Sequence, residues 1–305
     1  MAFLKLLERI RVPGLNEGML LITRFGEELA FLAVALVFFW CIDKKRGYYI
    51  MTVGFLGTIA NQFLKLWCRI PRPWVLDENF TILEQAREAA SGYSFPSGHS
   101  QTAVGTYGAI ALTTEKKWLR RVCIALAVLV PFSRMYVGVH TPKDVLVGAG
   151  MALVLILLLR PIATREDKGL MKILFPLMLV VGMGYLLFVE LYRFPEDVDG
   201  ENLASGIKNA YTLLGAIVGM AIVYIVDEKK LHFPVKAVWW AQLLKIALGL
   251  VVVLAVKSGL KTPLNLIFGG HRIADGVRYF LVVIAAGILW PLTFPWFSKL
   301  GKKES

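Results

Sequence analysis

The sequence predicts an all-α fold: a polytopic membrane helix bundle of about nine transmembrane helices, preceded by an N-terminal interfacial helix. Three observations carry the prediction. Hydrophobic residues make up 57% of the 305 residues and charged residues only 18%, whereas soluble domains are nearer half apolar and a quarter charged. The apolar residues gather in runs close to the roughly 20 residues that a bilayer core of about 30 Å requires. The links between those runs alternate between strongly basic and nearly neutral. The same composition excludes disorder, a collagen-like repeat and a disulfide scaffold. The net charge of +12 reads as cytoplasmic anchoring loops rather than nucleic-acid binding. Cys41, Cys68 and Cys123 lie in or beside apolar stretches with no disulfide or zinc spacing, and read as small core residues.

The first element is MAFLKLLERIRVPG, too charged to span. Phe3, Leu4, Leu7 and Ile10 share one helical face, with Lys5, Glu8, Arg9 and Arg11 off it, so an interfacial helix stopped by Pro13-Gly14 is expected. The order of charged region, apolar core and cleavage site typical of a signal peptide is missing. Spans are then expected near 27–42, 47–67, 99–114, 118–138, 143–161, 171–191, 206–226, 237–256 and 277–298. One set of links carries Lys44, Lys45 and Arg46; Lys116, Lys117, Arg120 and Arg121; Arg160, Arg165, Lys168 and Lys172; Lys229, Lys230 and Lys236; and Lys299, Lys302 and Lys303. Positive residues stay inside, so this set is expected in the cytoplasm and the N-terminus outside. The longest link, about 68–98, falls on the outer side and reads as a short amphipathic helix ended by Ser91-Gly92. The expected organisation is an interfacial segment at 1–26, a core at 27–165 and an additional four-helix membrane region at 166–305.

Three clusters of reactive residues fall at outer-side span ends. They are Lys65 with Arg72-Pro73; Pro96-Ser97-Gly98-His99; and Ser133-Arg134 followed by His140 and Asp144. Cations, histidines and one carboxylate from separate helix ends suit a tetrahedral dianion. In His140-Thr141-Pro142-Lys143-Asp144, Thr141 suits an N-cap, Pro142 the first helical position and Asp144 the third position of a capping box. Asp144 then lies one turn from His140, where it either orients the imidazole as an unprotonated nucleophile or serves only as a cap. Ser97 can cap the next span, and Gly98 lets backbone N–H groups approach an anion. Arg72 and Arg134 offer planar forks for phosphate oxygens and Lys65 a point charge. Between Arg121 and Arg134 the helix is about 18 Å long at 1.5 Å per residue, shorter than the bilayer core, so either Arg121 snorkels inward or Arg134 sits below the outer interface, where an arginine needs a partner or a water-filled cavity.

These clusters resemble the three-part signature of the type 2 phosphatidic acid phosphatases, with every signature position filled in order over about 45–160. The resemblance implies a metal-independent membrane phosphohydrolase, needing no cofactor, that works through a phosphohistidine intermediate. It implies His140 as nucleophile, Asp144 as its orienting partner and His99 as general acid. Lys65, Arg72, Ser97, Gly98 and Arg134 become the phosphate binders. The expected substrate is a lipid phosphate (phosphatidate, lysophosphatidate, sphingoid-base phosphate or prenyl diphosphate), met at the extracytoplasmic side of the cell membrane; the expected partners are that substrate and membrane lipids, not nucleic acid. Three alternatives stand beside it. One is a phosphotransferase with a lipid or sugar acceptor. Another is a sugar-phosphate phosphatase of the glucose-6-phosphatase type, and the third a transporter or lipid-binding protein. Outside the clusters, Trp67 and Trp74 read as interface anchors, Gly215 and Gly219 as helix packing, and His232 and His271 as bystanders. Lys245, in the eighth span, should snorkel, pair or line a polar path.

Overall fold

The computed structural model describes residues 1–90, 92–165 and 169–301, and within them the chain is helical with no strand. In chain order the helices are α1 (Ala2–Arg9), α2 (Pro13–Arg24), α3 (Glu28–Val37), α4 (Lys44–Cys68), α5 (Pro73–Leu76), α6 (Gly98–Thr113), α7 (Lys117–Tyr136) and α8 (Pro142–Leu159). They continue as α9 (Pro161–Thr164), α10 (Gly169–Leu191), α11 (Gly200–Val226), α12 (Trp239–Gly259), α13 (Lys261–Ile267), α14 (Ile273–Ile284) and α15 (Phe294–Lys299). Of the charged-link residues, Lys168, Lys302 and Lys303 lie outside the described residues, as does Ser91.

Helix occupies every stretch predicted to span. Among the described residues, five helical runs are long and apolar enough to cross a membrane: Pro142–Thr164, Gly169–Leu191, Gly200–Leu231, Trp239–Ile267 and Ile273–Lys299. A sixth is formed if Pro13–Arg24 and Glu28–Ile42, bent by 54°, make one crossing. The stretches at 47–67, 99–114 and 118–138 fold as α4, α6 and α7 but do not meet those criteria. Their polarity has a chemical cause: α4 carries Asn61, Gln62 and Lys65; α6 is only 16 residues long; α7 opens on Lys117, Arg120 and Arg121 and ends with Arg134.

The N-terminal segment differs from its expected form. Leu4 and Leu7 of α1 are buried, Leu4 against Phe80 and Ile82, whereas Phe3 and Ile10 are exposed. Pro13 does not merely stop α1; it occupies the first turn of α2, where its missing N–H costs nothing. The 68–98 link also differs. After the single turn of α5 it forms two 3₁₀ turns, Glu84–Ala86 and Glu88–Ala90, in place of the expected amphipathic α-helix, with Gly92 at φ +76°.

The chain divides into two compact units. The first comprises Met1–Ala35, Tyr48–Arg165 and Arg193–Gly206. Its centre is α6, packed against α7 and α8, with α1 and α2 laid on α7. Gly57 of α4 faces the Gln101 amide, and Tyr49 donates its hydroxyl hydrogen bond to the Ile156 carbonyl. The second unit comprises Leu36–Gly47, Glu166–Tyr192 and Ile207–Ser305. There α12 packs on α14 and α15. Trp40, Phe233, Trp290 and Phe297 surround Phe294 edge to face. Gly215 of α11 meets the Gly276 backbone of α14, the packing role expected of a small residue. Lys245 is buried; its Nζ donates to the Val235 carbonyl at 3.0 Å and lies 4.4 Å from the Phe294 ring centroid. It satisfies itself by pairing with backbone and ring.

Candidate active site

Helix ends bring the predicted residues together in the first unit. Lys65 lies in the last turn of α4 and Arg134 in the last turn of α7. Ser97 caps α6, with Gly98 and His99 in its first turn, and His140 immediately precedes the cap of α8. Arg72 sits at the N-cap position of α5. Arg72, Ser97, Arg134, His140 and Asp144 are all buried. Lys65, Gly98 and His99 are partly exposed.

The start of α8 is a capping box. The Thr141 hydroxyl accepts from the Asp144 N–H at 3.3 Å, and Asp144 Oδ2 accepts from the Thr141 N–H at 2.7 Å. The same Oδ2 accepts from Ser94 Oγ at 2.6 Å and stands 3.7 Å from His140 Nδ1. At 3.7 Å the two side chains make no direct hydrogen bond, and Oδ2 is held instead by the Thr141 N–H and Ser94. Ser94 Oγ, 3.5 Å from Nδ1, lies beside both groups.

Arg72 Nη1 also lies against the ring, 3.0 Å from His140 Nε2 and 3.4 Å from Nδ1, and 3.0 Å from the Val139 carbonyl. A guanidinium only donates, so the nearer nitrogen, Nε2, can accept from Arg72 while Nδ1 carries a ring proton toward Ser94 and Asp144. Burial drives the pKa of His140 well below its usual value, and the charges of Arg72, Arg134 and Lys65, with His99, push it further down. All four groups thus act on one imidazole. Burial also lowers Arg72 to about 10, with Asp144 opposing the shift. Arg72 remains a cation and His140 remains neutral at physiological pH.

Short backbone bonds fix the other cations. Arg72 Nε donates to the Gly92 carbonyl at 2.7 Å, and Lys65 Nζ to the Tyr93 carbonyl at 2.5 Å. Arg134 Nη1 donates to Thr23 Oγ1 of α2 at 2.8 Å, the partner that an arginine at this depth requires. Ser97 N donates to the Asp144 carbonyl at 3.0 Å, which ties the α6 cap to the α8 cap. The Nε2 atom of His99 is enclosed without a hydrogen-bond partner among the described residues. A Cβ at Gly98 would meet only Asn61 Oδ1, at 3.6 Å, so protein contacts do not demand glycine there.

Sequence reasoning missed the supporting residues. Ser94, Thr23 and the carbonyls of Gly92 and Tyr93 lie outside any motif it recognised, and backbone acceptors leave no signature in residue type. Trp74, read as an interface anchor, lies beneath two arginines, with Arg72 Cζ 5.9 Å and Arg87 Cζ 5.2 Å from its ring centroid.

Two family models and several known proteins match stretches of this chain. The model of the PAP2 superfamily matches residues 45–168, which contain every site residue named above except Thr23. The model of the PAP2 superfamily phosphatase transmembrane extension matches residues 211–303. The chain belongs to the PAP2 superfamily. Phosphatidylglycerophosphatase B of Bacillus subtilis is 33% identical over 164 residues, which cover 50% of this chain and 76% of that protein. Undecaprenyl-diphosphatase of Sulfolobus acidocaldarius is 31% identical over 145 residues, covering 47% of this chain and 68% of the relative. A crystal structure of a transmembrane PAP2-type phosphatidylglycerolphosphate phosphatase from Bacillus subtilis shares 32% identity over 55% of this chain and 85% of its own, with a TM-score of 0.46. PAP2 phosphatases hydrolyse phosphoester or diphosphate bonds, and this membrane-integral chain is a hydrolase of that kind.

Proposed function

We propose that this PAP2 phosphatase removes the terminal phosphate of a lipid phosphate or prenyl diphosphate at the extracytoplasmic face of the cell membrane. One observation carries the reading: a buried histidine, His140, holds its Nε2 3.0 Å from the guanidinium of a buried arginine, Arg72. An arginine that holds a phosphate oxygen there brings phosphorus to the lone pair. His140 Nε2 then attacks phosphorus and the bond to the leaving oxygen breaks. His99, protonated once the substrate's phosphate charge offsets the surrounding cations, gives that oxygen its proton. Water next attacks the phosphohistidine, with His99 as base, and releases inorganic phosphate. Lys65, Arg72, Arg134 and the backbone around Ser97 and Gly98 stabilise the charge on the equatorial oxygens. Asp144, with Ser94 beside it, supports the imidazolium that forms through its Nδ1–H.

The helix ends support the proposed orientation. The C-terminus of α4, the N-terminus of α6, the C-terminus of α7 and the N-terminus of α8 share one face of an antiparallel bundle. The opposite ends carry Lys44–Arg46, Lys116–Arg121 and Arg160–Arg165, which the positive-inside rule assigns to the cytoplasm. Counting α4, α6, α7 and the bent pair as crossings gives nine, with α1 at the outer interface. The names of the relatives, both phosphatases of membrane lipids, support the substrate class.

Phosphate release by purified protein from phosphatidate, lysophosphatidate, a sphingoid-base phosphate, a prenyl diphosphate and glucose 6-phosphate tests the reading. Turnover of the lipid substrates is expected, lost by at least a thousandfold in His140→Ala. Full turnover in that variant would overturn the mechanism, and cleavage of the sugar phosphate alone would overturn the substrate class.

A further inference from the structure

Residues 92–94 are a hub of the site. The Gly92 carbonyl holds Arg72, the Tyr93 carbonyl holds Lys65, and the Ser94 hydroxyl holds Asp144. The hub is itself gripped from outside by a segment between the two family-matched regions, which end at 168 and resume at 211. Asn202 Oδ1, in the first turns of α11, accepts from the Tyr93 N–H at 3.0 Å, and the Asp199 N–H donates to the Tyr93 hydroxyl at 3.0 Å. Asp199 Oδ1 accepts from both the backbone N–H and the side-chain Nδ2 of Asn202, each at 2.7 Å, which aims the Asn202 carbonyl at the hub. A Cβ on Gly92 would collide with Asn202 Oδ1, and Gly92 holds φ +76°, so the hub is shaped around this amide. Asn202 also stands between two cavities. One, of about 340 Å³, is lined by Arg72, Trp74, Arg87 and Tyr93; the other, of about 220 Å³, by Gln62, Lys65 and Glu201.

We propose that Asn202 is a positioning residue for phosphate binding: through the Gly92–Tyr93 backbone it sets where Arg72 and Lys65 present their charge. The proposal rests on the reading of Arg72 and Lys65 as phosphate binders. A peptide pair that loses its outside bond can rotate, and both carbonyl anchors move with it. The loss should therefore appear as weaker phosphate affinity common to every substrate, whatever its lipid tail.

Inhibition by inorganic phosphate and orthovanadate, together with KM and kcat, would be measured on the full chain in detergent. In Asn202→Ala the two inhibition constants and KM are expected to rise about tenfold, the scale of one lost hydrogen bond, while kcat falls less than threefold. Tyr93→Phe, which loses only the bond from Asp199, should move the inhibition constants the same way by two- to fourfold. In an Arg72→Ala background, adding Asn202→Ala should produce a step at least threefold smaller than in the wild type. Unchanged inhibition constants in both Asn202→Ala and Tyr93→Phe would overturn the proposal, as would an equal step in both backgrounds. A wild-type enzyme that neither anion inhibits would overturn the phosphate-binding reading itself, and Asn202's role with it.

Discussion

Gly98 and Gly148 flank Ser97 in space and should respond in opposite ways to an added methyl group. At Gly98 a Cβ meets only Asn61 Oδ1 at 3.6 Å, an ordinary contact, whereas at Gly148 it would lie 2.5 Å from the Ser97 carbonyl. Gly98→Ala should therefore keep thermal stability and lose activity, because the methyl group enters the space an anion needs beside the backbone. Gly148→Ala should lower stability by ~1–3 kcal/mol through overpacking; thermal melts beside phosphate-release assays separate the two. His140 makes a prediction of pH. Its folded pKa lies below the unfolded value of about 6.5, through burial first and neighbouring cations second. Between those two values the unfolded chain binds the extra proton. This contribution to stability is complete above about pH 6.5 and is lost as pH falls toward the folded pKa. Melting wild type and His140→Asn from pH 7 to pH 5 should show an acid slope of up to ~1.4 kcal/mol per pH unit that the variant lacks. Of the residues in the site, the motif side chains were legible in the sequence. Ser94 was not, because its role depends on Asp144 Oδ2 being brought to it from 50 positions away.

At the scale of elements, the caps carry both fold and chemistry. Thr141→Ala removes the acceptor for the Asp144 N–H and should cost about 1 kcal/mol of stability, while the carboxylate keeps its bonds from the Thr141 N–H and Ser94. Asp144→Asn removes the charge that supports Nδ1–H. Its kcat should fall by at least a hundredfold and Thr141→Ala by less than fivefold; comparable losses in both would mean that Asp144 acts only as a cap. In the second unit, Gly215→Leu would drive a side chain into the Gly276 backbone. It should destabilise that unit by ~1–3 kcal/mol, visible as a lower melting temperature. The helix starts at Ser97 and Pro142 were readable from capping chemistry, since a cap is a local bargain between a side chain and the next turn. The link at 68–98 was not, because its 3₁₀ turns and the left-handed Gly92 follow from what Arg72, Tyr93 and Asn202 bind rather than from apolar spacing.

At the scale of the whole molecule, alternating charge and the shared face of the helix ends support the proposed orientation. Cysteine labelling with a membrane-impermeant reagent should modify a residue introduced at Glu196 from outside intact cells, and one at Lys229 only after permeabilisation. The reverse pattern would put the site in the cytoplasm. The apolar pattern located helices throughout, yet α4, α6 and α7 are too polar or too short to pass as spans by composition. Lys65 in α4 and Arg134 in α7 belong to the site, so part of what weakens the hydropathic signal is the chemistry itself.

The sequence alone determined that the chain is a helical membrane protein with two histidines, three cations and a carboxylate at helix ends, because periodicity, capping and charge placement are local properties. Only the tertiary structure decided who supports them. Thr23 reaches Arg134 from 111 residues away, Arg72 reaches His140 across 68, and Asn202 reaches Tyr93 across 109. These pairings depend on packing between distant helices and on backbone carbonyls that every residue type carries alike, so no pattern of side chains along the chain announces them.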